Sequence, residues 1–263
     1  MRGISYRFTH AIARAPGASV IDGLRAEDRG APDFQAFQAE HGAYLDALRG
    51  AGVAVTVLPA LEPYPDSVFI EDAAICFPQG AVITRPGAAS RLGEADEIGP
   101  ALNAVYADVR RIEKGFLDGG DVLATETEIL VGRSERTDAA GVAALGRLTA
   151  DWGRPVTEVD TPAGVLHFKS DCSLLDEETM LSTERLAESG CFEGYRLIHT
   201  AEGEEAAANA IRVNDHVIMP SGFPKTAERL SAAGYEVREV AAREAAKLDG
   251  GVSCMSLRFS PAE

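Results

Sequence analysis

The chain has 263 residues, and its 25 Lys and Arg against 41 Asp and Glu give a formal net charge of −16. That surplus of acid argues against a nucleic-acid partner, which needs a basic face, and against an anionic membrane surface. With 46% hydrophobic and 25% charged residues the composition is that of a globular protein, not a disordered one. Four cysteines (Cys76, Cys172, Cys191, Cys254) with no CxxC spacing fit neither a disulfide framework nor a zinc site. Residues 1–14 carry Arg, Tyr, Thr and His through their apolar positions, so no signal-peptide core is expected there. No apolar run is long enough to span a bilayer. The expectation is a cytoplasmic protein with no membrane contact.

In chain order, helical spacing of Phe34, Phe37, Tyr44, Leu45 and Leu48 predicts a helix over 33–48, stopped by Gly50 and Gly52. An alternating strand over 53–57 follows, ended by Pro59. Strands are predicted over 68–77 and 81–84, then a polar helix over 92–106 and a strand over 109–112. The same order recurs as strands 121–124 and 129–131, a helix 139–152 and a strand 155–159. Strands 166–175 and 179–182 form another pair. Strands 210–213 and 217–219 form the next, with a helix over 224–233 and a strand over 235–240.

A polar segment opens each unit. Taking Asp72, Asp121, Asp171, Asn209 and Cys254 as markers, the steps are 49, 50, 38 and 45 residues. Periods of this size, each holding one supersecondary unit, indicate a repeat array or propeller. The fold expected is a single domain over 1–263, a five-bladed, pseudo-symmetric α/β propeller. Its last unit must borrow the N-terminal segment to close the ring. The polar openings of all units would then converge on the axis. An α/β sandwich with accidental spacing is the alternative.

Several of those openings carry chemistry. Cys254 lies just after Gly250 and Gly251, which permit close approach of a backbone or ligand; the other three cysteines read as small buried hydrophobes. His167 opens a unit at the position where the preceding one has Asp118, and such an acid can fix an imidazole tautomer. The Asp118-Gly119-Gly120 segment is equally readable as a hairpin turn. Asp66, Glu71 and Asp72 crowd carboxylates into an apolar stretch, which is costly unless a cation offsets them. Arg91 and Arg136 sit at matching places in successive units, and a guanidinium grips a carboxylate bidentately. Most single arginines, however, are surface charge.

The motifs VFIED (68–72), TRPGAASR (84–91), LDGGDVL (117–123), VGRSERT (131–137), LHFKS (166–170) and KLDGGVSC (247–254) stand in one order across the chain. In this the sequence resembles the dimethylarginine dimethylaminohydrolases. The resemblance implies the pentein fold, which agrees with the period, and cofactor-free, metal-free hydrolysis of a small guanidinium substrate, N-omega-methylated arginine, to citrulline and a methylamine. It implies Cys254 as nucleophile, His167 as acid/base and Asp118 as its support. It also implies that Asp72 and Glu71 hold the guanidinium and that Asp66 and Leu24 contact the substrate amino group. Arg91 and Arg136 would clamp the carboxylate, and Leu248 would give a backbone contact. Arginine deiminase, amidinotransferase and a non-catalytic binding module of the same fold are the rival readings. A homodimer is left open by the sequence.

Overall fold

The computed structural model describes residues 3–26 and 28–262. Among the described residues fifteen strands form five three-stranded sheets arranged as blades. The second blade is built from β3 (Ala74–Cys76), β4 (Ala81–Ile83) and β5 (Val109–Arg111); the third from β6 (Val122–Ala124), β7 (Ile129–Arg133) and β8 (Val156–Asp160). The fourth has β9 (Cys172–Leu174), β10 (Thr179–Ser182) and β11 (Arg196–His199), and the fifth β12 (Ile211–Val213), β13 (His216–Pro220) and β14 (Glu236–Val240). In each, the first strand runs antiparallel to the second and the second parallel to the third. A parallel pair needs a crossover, which is why each unit holds a helix or its remnant before the third strand.

The remaining blade closes the ring. β15 (Leu257–Phe259) pairs antiparallel with β1 (His10–Arg14), and β1 pairs parallel with β2 (Ala54–Leu58). The chain end thus supplies the inner strand of the blade that the chain start begins. The intervening helix is α1 (Phe34–Gly50), whose first turn is capped by the Asp33 carboxylate accepting Ala36 N–H.

Three predicted elements differ from those that form. The single helix over 92–106 is instead two short ones, α2 (Glu94–Glu97) and α3 (Gly99–Asn103). Pro100 at the start of α3 cannot donate into a preceding turn, so it marks a new helix. The strands 68–77 and 166–175 are shorter than predicted, because each axial opening is a 3-10 turn: Ile70–Ala73, Gly119–Asp121, Phe168–Ser170, Glu205–Ala208 and Ser253–Met255.

Three of the five marker residues stitch neighbouring turns together. Asp72 Oδ1 accepts Gly120 N–H, Asp121 Oδ1 accepts Phe168 N–H, and Asn209 Oδ1 accepts Ser253 N–H, each at 2.9 Å. In these three, one blade's polar side chain satisfies the next blade's backbone, whereas Asp171 accepts from Thr183 and Arg185 of its own blade. Apolar packing follows the same plan. Five buried clusters each join neighbouring blades; one, for example, packs Ile75, Phe77 and Val82 against Leu117, Val122 and Leu145. Strands such as β4 and β10 are consequently buried on both faces and show no alternation.

Candidate active site

A cavity of about 220 Å³ opens at one end of the axis. Of the residues proposed from sequence, Cys254, His167, Asp72, Asp66, Arg91, Arg136, Leu24 and Leu248 line it. Asp118 lies directly behind, fully buried, with Oδ2 3.0 Å from His167 Nε2 and Oδ1 accepting Gly87 N–H at 2.8 Å. The pairing of Nε2 leaves Nδ1 as the ring nitrogen available for proton transfer. Gly120 is obligatory here: a Cβ would come within 2.8 Å of both Asp72 Oδ1 and His167 Nδ1.

Electrostatics set the protonation states. Burial alone would raise Asp72, but His167, Arg91 and the Gly120 N–H hold it down to about 2. Burial likewise works against a charged His167, yet Asp72, the Asp118 hydrogen bond and Asp121 push it up to about 9. Cys254 moves the other way: burial, then Glu71 and Asp72, push the thiol up to about 11. Asp72, Asp118 and His167 each bring one ligand atom to within 4.8 Å of the others. Such spacing could hold a small cation, though Asp72 already accepts from Arg91 and Asp118 from Gly87 and His167. A planar organic cation, needing only hydrogen bonds at its edge, suits what remains.

Three expectations change on inspection. Glu71 does not line the cavity. Its carboxylate, 4% exposed, accepts from Arg258 Nη2 at 2.9 Å and Ser253 Oγ at 3.1 Å, and pairs with Lys169 Nζ at 2.8 Å. Arg91 is no free clamp: it is 4% exposed, bonds Asp72 Oδ2 at 2.6 Å and Glu94 Oε2 at 2.7 Å, and donates to the Phe69 carbonyl. One Nη1 hydrogen is left for a ligand, so the expected bidentate grip gives way to a single bond. By contrast, the Arg136 guanidinium makes no hydrogen bond or ion pair among the described residues. Finally, Gly250 and Gly251 make room for protein rather than ligand, since Cβ atoms there would meet the Phe69 ring at 2.3 Å and the Asn209 side chain at 2.5 Å.

Over the cavity, the loop bearing Leu24 is tied by its own backbone: Leu24 N–H donates to Asp66 Oδ1 at 2.9 Å and Ala26 N–H to Asp249 Oδ2 at 2.5 Å. Sequence reasoning passed over Glu94, Lys169, Arg258 and Ser253, whose roles come from non-local pairing. Asn209 was visible as a repeat marker, but nothing in the sequence gave it a chemical task.

Five α/β blades with their functional side chains gathered on the axis define a pentein of the guanidino-modifying class. No family model matches the chain. Among curated proteins it is 40% identical over 254 residues to the N(G),N(G)-dimethylarginine dimethylaminohydrolase of Pseudomonas aeruginosa, covering 96% of this chain and 100% of that one. It is 34% identical to the enzyme of that name from Streptomyces coelicolor, over 95% and 96% of the two chains. The chain belongs to the dimethylarginine dimethylaminohydrolase family. The solved structure of a cysteine-to-serine variant of the Pseudomonas aeruginosa protein, complexed with citrulline, superposes with a TM-score of 0.94 at 39% identity, covering 97% of this chain and all of that one. Among the described residues no helix is long and apolar enough to cross a membrane.

Proposed function

We propose that the chain hydrolyses dimethylarginine to L-citrulline and dimethylamine through a covalent thiouronium intermediate on Cys254. The observation that carries this reading is the meeting of Cys254, the His167–Asp118 pair and Asp72 on one cavity that Arg136 also lines. Asp72 would hold the guanidinium beside the sulfur, with Glu71 acting through its charge from behind. The Asp66 carboxylate and the Leu24 and Leu248 backbone would face the substrate's α-amino end, and Arg136, with one bond from Arg91, its carboxylate.

In the reaction so read, the Cys254 thiolate adds to the guanidinium carbon. The His167 imidazolium then gives its Nδ1 proton to the departing nitrogen as the C–N bond breaks. The neutral imidazole takes a proton from water and the hydroxide adds to the thiouronium carbon. As the C–S bond breaks, the new hydroxyl gives its proton to the departing sulfur, which leaves citrulline, the Cys254 thiol and the His167 imidazolium. The substrate's fixed ends make the attack effectively intramolecular. This chemistry calls on no cofactor, and we place it in the cytoplasm, where four unpaired cysteines stay reduced.

The test is incubation with asymmetric dimethylarginine and, separately, arginine, following citrulline, dimethylamine and ammonia. Stoichiometric dimethylamine and citrulline are expected. Ammonia from arginine with no turnover of dimethylarginine would make the chain a deiminase instead, and amidine transfer to an added amine would make it a transferase.

A further inference from the structure

Asp72, Asp121 and Asn209 occupy matching places, and each uses one oxygen to accept the next blade's backbone N–H. Their second atoms face different neighbours. In Asp72 that atom accepts from Arg91 Nη1, and in Asp121 it accepts from the hydroxyls of Ser134 and Thr137. Both neighbours are donors, so an oxygen belongs there. At position 209 the second atom stands 3.8 Å from Cys254 Sγ, and here it is a nitrogen. Its identity is fixed by chemistry: the oxygen must meet the Ser253 N–H, so the NH₂ must meet the sulfur. Asn209 is 8% exposed, and the absence of a side chain at Gly251 is what lets it come so close.

We propose that Asn209 is the hydrogen-bond donor that stabilises the Cys254 thiolate, the one neutral cap of these three, placed where a carboxylate would oppose ionisation. The proposal rests on the reading of Cys254 as nucleophile. A neutral thiol is a weak acceptor, which suits a contact of this length; a thiolate is a strong one and draws the amide in. Among the described residues one other side-chain donor stands as near to the sulfur. Ser253 Oγ is also 3.8 Å from Sγ, but its hydrogen goes to Glu71 Oε2 at 3.1 Å. Of the charged groups around the sulfur, Glu71 and Asp72 on the turn Ile70–Ala73 oppose the thiolate. His167 bonds Asp118 through Nε2 and keeps Nδ1 for the departing nitrogen, and Arg91 bonds Asp72 and Glu94 and keeps one Nη1 hydrogen for a ligand. Among the described residues neither they nor Arg136 makes a hydrogen bond to Cys254 Sγ.

The test follows alkylation of Cys254 by a neutral haloacetamide against pH, in the full chain, for the unchanged protein, Asn209→Asp and Asn209→Ala. Asn209→Asp keeps the shape and the oxygen that caps Ser253 while losing the donor. The apparent pKa of labelling should rise by about one unit or more in Asn209→Asp and by less in Asn209→Ala. Near neutral pH, kcat for dimethylarginine should fall about tenfold or more with KM within about twofold. An unchanged labelling pKa in either folded variant overturns the proposal. Should both variants fail to fold, the side-chain amide resonance of Asn209 in the unchanged protein decides. It should shift with the ionisation of Cys254 and lose that shift in Cys254→Ser; an amide blind to the titration overturns the proposal. Failure of the reagent to label Cys254 at any pH, or full turnover by Cys254→Ser, would bring down the nucleophile assignment itself.

Discussion

The Cys254 thiol should ionise only in the company of a cation. At rest it is pushed up to about 11 by burial, Glu71 and Asp72, while His167 sits at about 9. The resting pair at neutral pH is therefore thiol and imidazolium. At about pH 7.5 such a thiol is ionised in only about three molecules in 10⁴. A guanidinium or amidinium seated on Asp72 in contact with the sulfur would put a positive charge about 4 Å from it. At an effective dielectric of ~20 that is worth about 4 kcal/mol, or close to three pKa units. The thiolate population would rise by a factor on the order of 10³. The assay compares a neutral haloacetamide with the corresponding haloacetamidinium, each normalised to its rate with a small thiol. At neutral pH the cationic reagent should label Cys254 faster by about 10²–10³, and the neutral one should need alkaline pH. If the neutral reagent already titrates Cys254 well below pH 7, the protein holds a standing ion pair and the charge argument is wrong.

The two arginines should separate cleanly. Arg136→Ala should raise KM for dimethylarginine and spare stability, whereas Arg91→Ala leaves Asp72 and Glu94 buried and unpaired and should destabilise the fold by about 3–5 kcal/mol in denaturant titration. Equal stability of the two variants would refute this division. Gly120→Ala should cut kcat severely by displacing Asp72 or His167, and a variant of full activity would show that the 2.8 Å approach is not needed. His41 is buried with Nε2 unpartnered and lowered to about 4 by burial. The unfolded chain binds that proton from about pH 6.5 downward and the folded one does not, so stability is full above pH 6.5 and falls by about 3 kcal/mol towards pH 4. In His41→Leu this component of the acid loss should vanish, which denaturant titrations at the two pH values would show.

The blade period was legible because it is written in side chains that cap backbone. Asp72, Asp121 and Asn209 each satisfy a neighbour's N–H, so a polar residue recurs at these three openings, while Asp171 accepts from Thr183 and Arg185 within its own blade. The 3-10 turns were hidden for a related reason. Residues 70–77 are nearly all buried whether turn or strand, and an unbroken apolar run carries no period to distinguish them. The helix Glu184–Ala187 and β11 escaped prediction because four residues show too little of either a helical or a strand period. In the candidate site, the residues that line the cavity were nameable from motif order. Their partners were not: Glu71 is separated by 187 positions from Arg258, and only folding joins them.

That division between lining residues and hidden partners explains how so acidic a centre can stay folded. A buried carboxylate without a counter-ion is strongly destabilising. Glu71 is met by Lys169 and Arg258, Glu94 by Arg91, and Asp118 by the imidazolium of His167. Asp72 shares Arg91 with Glu94 and so has less than a full positive charge to itself. Its acidity is nevertheless held at about 2, so it remains an anion with hydrogen-bonding capacity turned to the cavity. A cationic ligand completes the pairing there and, by the same charge, favours the thiolate beside it. Neutralising Asp72 as Asn should thus do two opposite things in one protein. Labelling of Cys254 by the neutral reagent should become easier, because a charge opposing the thiolate is gone, while turnover of dimethylarginine should collapse, because the cation is no longer held. Parallel loss of both would show that Asp72 acts on the sulfur only through structure.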